Sequence, residues 1–302
     1  MKPLHDILVV GGVGIDTAVR VQSMPLPLAD SIHAPPIRDY VGHTGNGVAL
    51  GCHTLGLKTK FIDYIGADPQ GQLILERYRQ TGLDFSYLVH ASGTRRSVNL
   101  IDPQGRRLSL YDGRHPLELR MPRDFYLPFL QAARHVHFTI MDWARYLYDD
   151  AAQLGIKIST DLHDWDGESA HHRDFALRSD LVFLSTAALG ERHQAVMHSI
   201  MRAGRAEAVI AMAGSRGSYL LTRDSGAVRH FDCVDLGRAI VDTNGAGDSF
   251  VAGFLSGYFR QAALEDCMRL GAIAGAYACG CLGTHEEFVT QAQLQKMLLE
   301  NS

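Results

Sequence analysis

Short β-branched apolar runs, each long enough for a strand and too short for a helix, alternate along this chain with segments whose apolar residues recur every three to four positions. The runs fall at residues 7–10, 60–65, 135–140, 157–160, 181–184 and 209–212, and the helical patterns at 47–55, 71–81, 146–154 and 192–203. Continuous apolar runs suit strands buried on both faces, and neighbouring parallel strands need a crossover helix between them. The expected fold is therefore α/β, a parallel sheet wrapped by helices in three layers. At 302 residues, one large domain or two ordinary ones would bury an ample core without disulfides or metals as staples.

Two stretches break the rhythm. Residues 17–41 hold Val19, Val21, Ile32 and Ile37 among prolines and read as strands and turns. Residues 95–112 alternate through Val98, Leu100, Leu108 and Leu110 around Asp102-Pro103-Gln104-Gly105, a hairpin signature. Their pairing into a small antiparallel sheet would make a discontinuous β lid, about 14–45 and 94–113, over the strand ends where open α/β sheets bind ligands. The outer face of that lid offers a surface for a homodimer.

Composition narrows the partners. With 29 Lys+Arg against 33 Asp+Glu the net charge is −4, and the arginines are scattered, so no nucleic-acid partner is expected. No apolar stretch approaches the roughly 18 residues of a membrane span, and the apolar run at residues 7–10 is too short for a signal peptide. Five cysteines, odd in number and mostly isolated, suit a cytoplasmic protein. Cys279-x-Cys281 lacks a second ligand pair, and His135-x-His137, although on one face of a strand, lacks a third ligand. Both read as packing, His135-x-His137 alternatively as cleft lining, and no protein-held metal is expected.

Glycine is in surplus, 30 of 302 residues, and its placement carries the chemistry. In Asp242-Thr243-Asn244-Gly245-Ala246-Gly247-Asp248, followed by Phe250, Val251, Phe254, Leu255, Tyr258 and Phe259 at helical spacing, a helix starts near Gly247. Its first amides lack internal partners, and Gly245, Ala246 and Gly247 let an anion approach them closely. Asp248 in that turn would sit beside the anion, an arrangement suited to phosphoryl transfer: amides hold developing charge while a carboxylate accepts an alcohol proton. On residues alone, an ordinary glycine turn with a favourable first-turn charge is the alternative.

The segment resembles the Asp-Thr-x-Gly-Ala-Gly-Asp signature of the ribokinase, or PfkB, family of carbohydrate kinases, matching every specified position. Gly11-Gly12-Val13-Gly14-Ile15-Asp16 is similar to the family's first strand and sugar-gripping acid, and Gly214-Ser215-Arg216-Gly217 to its nucleotide-phosphate loop. The resemblance implies a single ribokinase-like kinase domain over residues 1–302, with ATP and Mg²⁺ as cofactors and a small-molecule sugar as acceptor. It makes Asp248 the catalytic base and Gly245, Ala246 and Gly247 the anion hole. Asp16, Gly42, Asn46 and Gly47 would bind sugar, Gly214, Ser215 and Gly217 would lie along the nucleotide phosphates, Ser185 would belong to the cofactor-binding residues, and Ala278 and Cys281 would wall the adenine pocket from a helix over residues 270–281.

Several positions depart from the family pattern. Gly42-His43 stands for Gly-Gly, and alignment on Ala49 puts Gly47 where Asn is expected, with Asn46 next to it. Ser185 and Ala188 replace Asn-x-x-Glu in an arrangement similar to the ketohexokinase and sulfofructose kinase branches, which leans toward a ketose. Asp161 matches the Asp-Pro-Asn segment and reads either as facing the cleft or as capping a strand end. Arg96, with Arg95, reads either as a solvated charge or as a contact to a phosphate or acidic sugar. A nucleoside kinase of the same fold and a non-catalytic sugar- or nucleotide-binding regulator remain alternatives.

Overall fold

In the computed structural model, which describes residues 3–300, β1 (His5–Val10) leads out of the core into β2 (Gly14–Arg20) and β3 (Arg38–Gly42). The chain returns through α1 (Thr44–Thr54), β4 (Thr59–Ile65), α2 (Pro69–Thr81) and β5 (Asp84–Val89), then leaves again as the hairpin β6 (Arg96–Ile101) and β7 (Arg107–Asp112). Strand and helix alternate through α3 (Arg123–Gln131), β8 (Ala133–Phe138), α4 (Tyr148–Gln153), β9 (Lys157–Asp161) and α5 (Ala170–Arg178). They continue through β10 (Leu181–Ser185), α6 (His193–Ala203) and β11 (Ala208–Met212). The remainder is β12 (Ser218–Thr222), β13 (Val228–Phe231), α7 (Ala246–Phe259), α8 (Leu264–Cys279) and α9 (Gln291–Glu300).

β1 shows how the apolar runs build three layers. Ile7 and Val9 point into one core with α1, α2, α7, α8 and α9, while Leu8 and Val10 point into a second with α3, α4, α5 and α6. All four are fully buried, and each such side chain contributes about 1.5–3 kcal/mol of burial. The sheet order is β13-β12-β11-β10-β9-β8-β1-β4-β5. It is parallel from β11 to β5, but β12 and β13 close one edge antiparallel, a departure from the expected all-parallel sheet.

Local chemistry sets the helix ends. At α2, Asp68 accepts from the Gly71 amide at 2.8 Å, Pro69 opens the first turn and Gly82 closes the helix at φ 71°. The pattern at 146–154 splits into a 3-10 turn (Asp142–Leu147) followed by α4. α7 is buried on nearly all sides, and Gly253 and Gly257 bring it against α8: a Cβ at Gly253 would stand 2.6 Å from Leu270 O, and one at Gly257 2.7 Å from Leu270 Cδ1. Part of the glycine surplus thus serves helix packing.

The lid is a second sheet, ordered β3-β2-β6-β7. Its outer pairs are antiparallel, but the central pair β2 and β6 is parallel, so the expectation of a wholly antiparallel sheet is corrected. Both strands leave the core in the same direction, from the carboxyl end of β1 and after β5, and so run side by side. Among the described residues no helix is long and apolar enough to cross a membrane.

Candidate active site

The carboxyl ends of β1, β8, β9, β10 and β11 open into a cavity of about 990 Å³ roofed by the lid. That is where an open α/β sheet leaves its loops free to carry ligand groups. Gly12, Thr139, Asp161, Ser185 and Met212 line it from the strand ends, Asp16, Ser97, Asn99, Arg107, Ser109 and Tyr111 from the lid, and Gly245, Gly247 and Asp248 from α7.

Gly245 caps α7 at φ 79°, a left-handed conformation that favours glycine, and Asp242 Oδ1 accepts from the Asn244 amide at 3.0 Å. Ala246 follows Gly245 as the first residue of α7 and does not line the cavity. Asp248 lies in the first turn, with its Oδ2 2.8 Å from His285 Nε2. His285 belongs to the loop between α8 and α9. Its ring sits between two glycines: a Cβ at Gly245 would stand 2.7 Å from the imidazole, and one at Gly47 would strike the imidazole and stand 2.6 Å from Asp248 Cβ. Glycine at 47, where the family pattern has Asn, is what makes room for this ring.

On the acceptor side, Asp16 is buried with its carboxylate against the backbone of Gly42, where a Cβ would collide with Oδ2. His43 takes the left-handed φ of 70° and lies 3.4 Å from Asp16 Oδ1 and 3.2 Å from Ser97 Oγ. Burial pushes the His43 imidazole down to about 4, against the opposing pull of Asp16, so it is neutral near pH 7. Asp161 ends β9 within the cavity wall and accepts from the His163 amide at 2.9 Å; burial raises its carboxyl, His163 opposes this and Asp248 adds to it.

Alternation along β6 decides the arginines. Ser97 and Asn99 face the cavity, and Arg96, on the opposite face beside Ile15 and Asp112, does not line it. Arg95 does line the cavity and is 1% exposed, ion-paired to the fully buried Asp63. Arg95 Nε also donates to Val13 O at 3.1 Å, and Asp63 Oδ2 accepts from Val13 N at 2.7 Å. This pair therefore ties together the two points where the lid leaves the core. From β7, Arg107 reaches across the cavity mouth and donates to Asn244 Oδ1 in the loop before α7.

Asn46 does not line the cavity; it is fully buried beneath it, and its amide lies 3.2 Å from His285 Nδ1. Ser185 lines the cavity at the end of β10 and accepts from the Ala187 amide at 3.2 Å. Gly214, Ser215 and Gly217 form the turn between β11 and β12, outside the cavity lining; Gly217 takes φ 83° where a side chain would collide with Phe231 O. Ala278, in the last turn of α8, and Cys281, just beyond it, are buried, with the Cys281 thiol 3.5 Å from Tyr277 O. His135 Nε2 and His137 Nδ1 share the Ser159 hydroxyl at 2.7 and 2.9 Å inside the sheet.

His43, Tyr111, Trp143, Arg107 and His285 also line the cavity, and the sequence does not mark them as candidates. Of these only His43 stood at a flagged departure; His285, at φ 60° after Gly283-Thr284, had no signal stronger than a glycine between two helices.

A helix that begins on closely approachable amides, with a carboxylate in its first turn and a hydroxyl- and carboxylate-lined cavity opposite, is suited to moving a phosphoryl group onto an alcohol. The class it defines is the carbohydrate kinases. The family model described as pfkB family carbohydrate kinase matches residues 175–291. An acarbose 7(IV)-phosphotransferase from Actinoplanes is 43% identical over 295 residues, covering 97% of this chain and 98% of its own. The solved structure of a microbiome-derived acarbose kinase superposes with a TM-score of 0.91 at 47% identity, covering 99% of this chain and 100% of the other. Ribokinase from Giardia lamblia, at 17% identity and a TM-score of 0.86 over 99% of each chain, shares the fold. The chain belongs to the pfkB family and is an ATP-dependent carbohydrate kinase.

Proposed function

We propose that the acceptor is an extended, acarbose-type oligosaccharide and that Asp248 is the general base. The observation that carries this reading is the position of Asp248, in the first turn of α7 and in the wall of the same cavity that Asp16, Ser97 and Asn99 line. A carboxylate there is placed to take a hydroxyl proton as the new O–P bond forms, while the amides at Gly245, Ala246 and Gly247 hold the growing negative charge. The lid, pinned by Arg107 to Asn244, excludes the water that would otherwise compete as acceptor.

The cavity volume stands at the upper end of the roughly 300–1,000 Å³ typical of small-molecule sites. Its lining also includes Tyr111, His115, Leu117, Met141, Trp143 and His171. These rings and apolar side chains suit the faces of further sugar units, and Asp16, Ser97, Asn99, Ser109 and Asp161 offer hydrogen bonds to hydroxyls. This replaces the lean toward a ketose drawn from Ser185 and Ala188.

The residues present fit a nucleotide. A triphosphate would be held by the start of α7, by Ser185 and by the turn at Gly214, Ser215 and Gly217, where nothing lies within 4 Å of a Cβ built on Gly214. Ala278 and Cys281 would stand behind the adenine. Bound MgATP supplies the γ-phosphoryl group, and Mg²⁺ would be carried mainly by its phosphates. In this reading the chain works as one kinase domain over residues 1–302, with its lid at 14–45 and 94–113, in the cytoplasm.

Coupled ADP release across an acarbose-type oligosaccharide, monosaccharide ketoses and pentoses, and nucleosides is the test. The expected result is highest kcat/KM on the oligosaccharide; a nucleoside preferred by tenfold or more would overturn the acceptor assignment. Archaeal nucleoside kinases at 25% and 24% identity make that the rival outcome.

We also propose a homodimer through the outer face of the lid. Val19, Val98, Leu100, Leu108 and Leu110 share that face, with Leu108 and Leu110 exposed. Size exclusion with light scattering should give twice the chain mass, reduced to the monomer by Leu110→Lys; a monomeric wild type contradicts the proposal.

A further inference from the structure

From beneath the cavity up to its wall, Tyr78 from α2, Asn46 from α1, His285 and Asp248 form one hydrogen-bonded line, of which His285 and Asp248 line the cavity. Tyr78 Oη donates to Asn46 Oδ1 at 2.8 Å, and Asn46 Nδ2 donates to Val41 O at 3.0 Å. The same Nδ2 lies 3.2 Å from His285 Nδ1, and His285 Nε2 lies 2.8 Å from Asp248 Oδ2.

The protons on this line can be assigned from its fixed end. A backbone carbonyl only accepts, so the Asn46 amide must turn its NH₂ toward Val41 O, and its second N–H then points at His285 Nδ1. A donor cannot face a donor, so Nδ1 carries its lone pair. The proton of the neutral ring is therefore on Nε2, aimed at Asp248.

We infer that Asn46 locks His285 in the Nε2–H tautomer, and that His285 thereby holds Asp248 by Oδ2 and leaves Oδ1 to receive the proton of the acceptor hydroxyl. The inference rests on the reading of Asp248 as the base. A carboxylate torsion is broad and two-fold, so without a fixed donor either oxygen would face the cavity. His285 is a rigid donor: its side chain is 2% exposed, wedged between Gly47 and Gly245, with its ring stacked on Phe288 at 6.0 Å. His285 is thus a positioning residue for Asp248 and Asn46 a tautomer lock, which assigns Asn46 a part in the reaction without contact to sugar.

The other titratable and charged groups facing His285 and Asp248 are Asp161 and His43 from the cavity, and Arg77, which donates to the backbone carbonyls of His285 and Glu286 and lies 3.9 Å from the Glu286 carboxylate.

Steady-state kinetics on His285→Ala and His285→Gln test the inference, because a glutamine amide can present an N–H in place of Nε2. His285→Ala is expected to lower kcat about 10–100-fold, the kinetic equivalent of one hydrogen bond to a charged group. Its acceptor KM should change little. His285→Gln should restore most of the rate. Equal impairment of both variants, or a near-wild-type His285→Ala, overturns the proposal. Should His285→Ala fail to fold, ¹⁵N-histidine NMR of the wild type decides the matter, with the resonance assigned by its loss in His285→Gln. A protonated Nε2 and unprotonated Nδ1 support the inference, and the opposite tautomer or a doubly protonated ring at pH 7 overturns it. If Asp248→Asn loses turnover while His285→Ala keeps it, the base stands and the relay falls. If Asp248→Asn keeps turnover, the base itself is wrong.

Discussion

Asp248→Asn should lower kcat by about 10²–10⁴-fold, the usual scale for loss of a general base, with ATP affinity changed little. The substitution is nearly isosteric and keeps an oxygen to accept from His285, whose Nε2 lies 2.8 Å away. The amides at the start of α7 are untouched, so the phosphate-binding side of the site remains. What disappears is the only carboxylate in the first turn of α7. Rapid-quench measurement of the chemical step, beside nucleotide affinity by fluorescence or calorimetry, separates the two quantities. A variant with near-wild-type turnover would exclude Asp248 as the base.

Arg95→Met should destabilise the fold by about 3–5 kcal/mol, because removing one member of a buried ion pair leaves the other charge uncompensated. Asp63 is fully buried, and burial raises its carboxyl even though Arg95 and the amides of Val13 and Tyr64 pull it down. Once Arg95 is gone, Asp63 must either stay charged in an apolar surround or take up a proton. Asp63→Asn in the same chain removes the stranded charge and keeps an acceptor for an amide, so the double variant should recover part of the loss. Denaturant midpoints at constant m-value report the change. A loss below about 1 kcal/mol, the scale of an exposed pair, would contradict the assignment. The lid should suffer as well, since Arg95 bonds Val13 O at one lid root while belonging to the other.

What was legible in the sequence follows from where the information lies. β1 could be read from Ile7 to Val10 because burial on both faces removes every polar residue from the run. The β6–β7 hairpin could be read because its turn is local: Asp102 Oδ1 accepts from the amides of Gln104 and Arg106 at 3.0 and 2.9 Å. The direction of the β2–β6 pairing could not, since it depends on where the chain re-enters after three strands and two helices. α3 escaped notice because Pro128 sits inside it, and β12 and β13 because they reverse the parallel order at the sheet edge.

The site divides in the same way. Asp248 and its glycines were legible because the helix start and the carboxylate are contiguous in sequence. His285, 37 residues further on, was not, because its function depends on the space left by Gly47 and on the orientation of Asn46, contacts made only by folding. Asn46 is marked in the sequence by its neighbourhood, but its hydrogen bonds to Tyr78 and Val41 depend on the register of α1 and on folding.

The most direct measurement is the fate of the γ-phosphoryl label when ATP labelled at that position is incubated with an acarbose-type oligosaccharide, using the wild type and Asp248→Asn side by side. Transfer by Asp248 to a sugar hydroxyl requires that the label appear on the oligosaccharide one-for-one with ADP, and that the variant form almost none. Label recovered as inorganic phosphate, no label on any sugar, or equal labelling by the two proteins would contradict it.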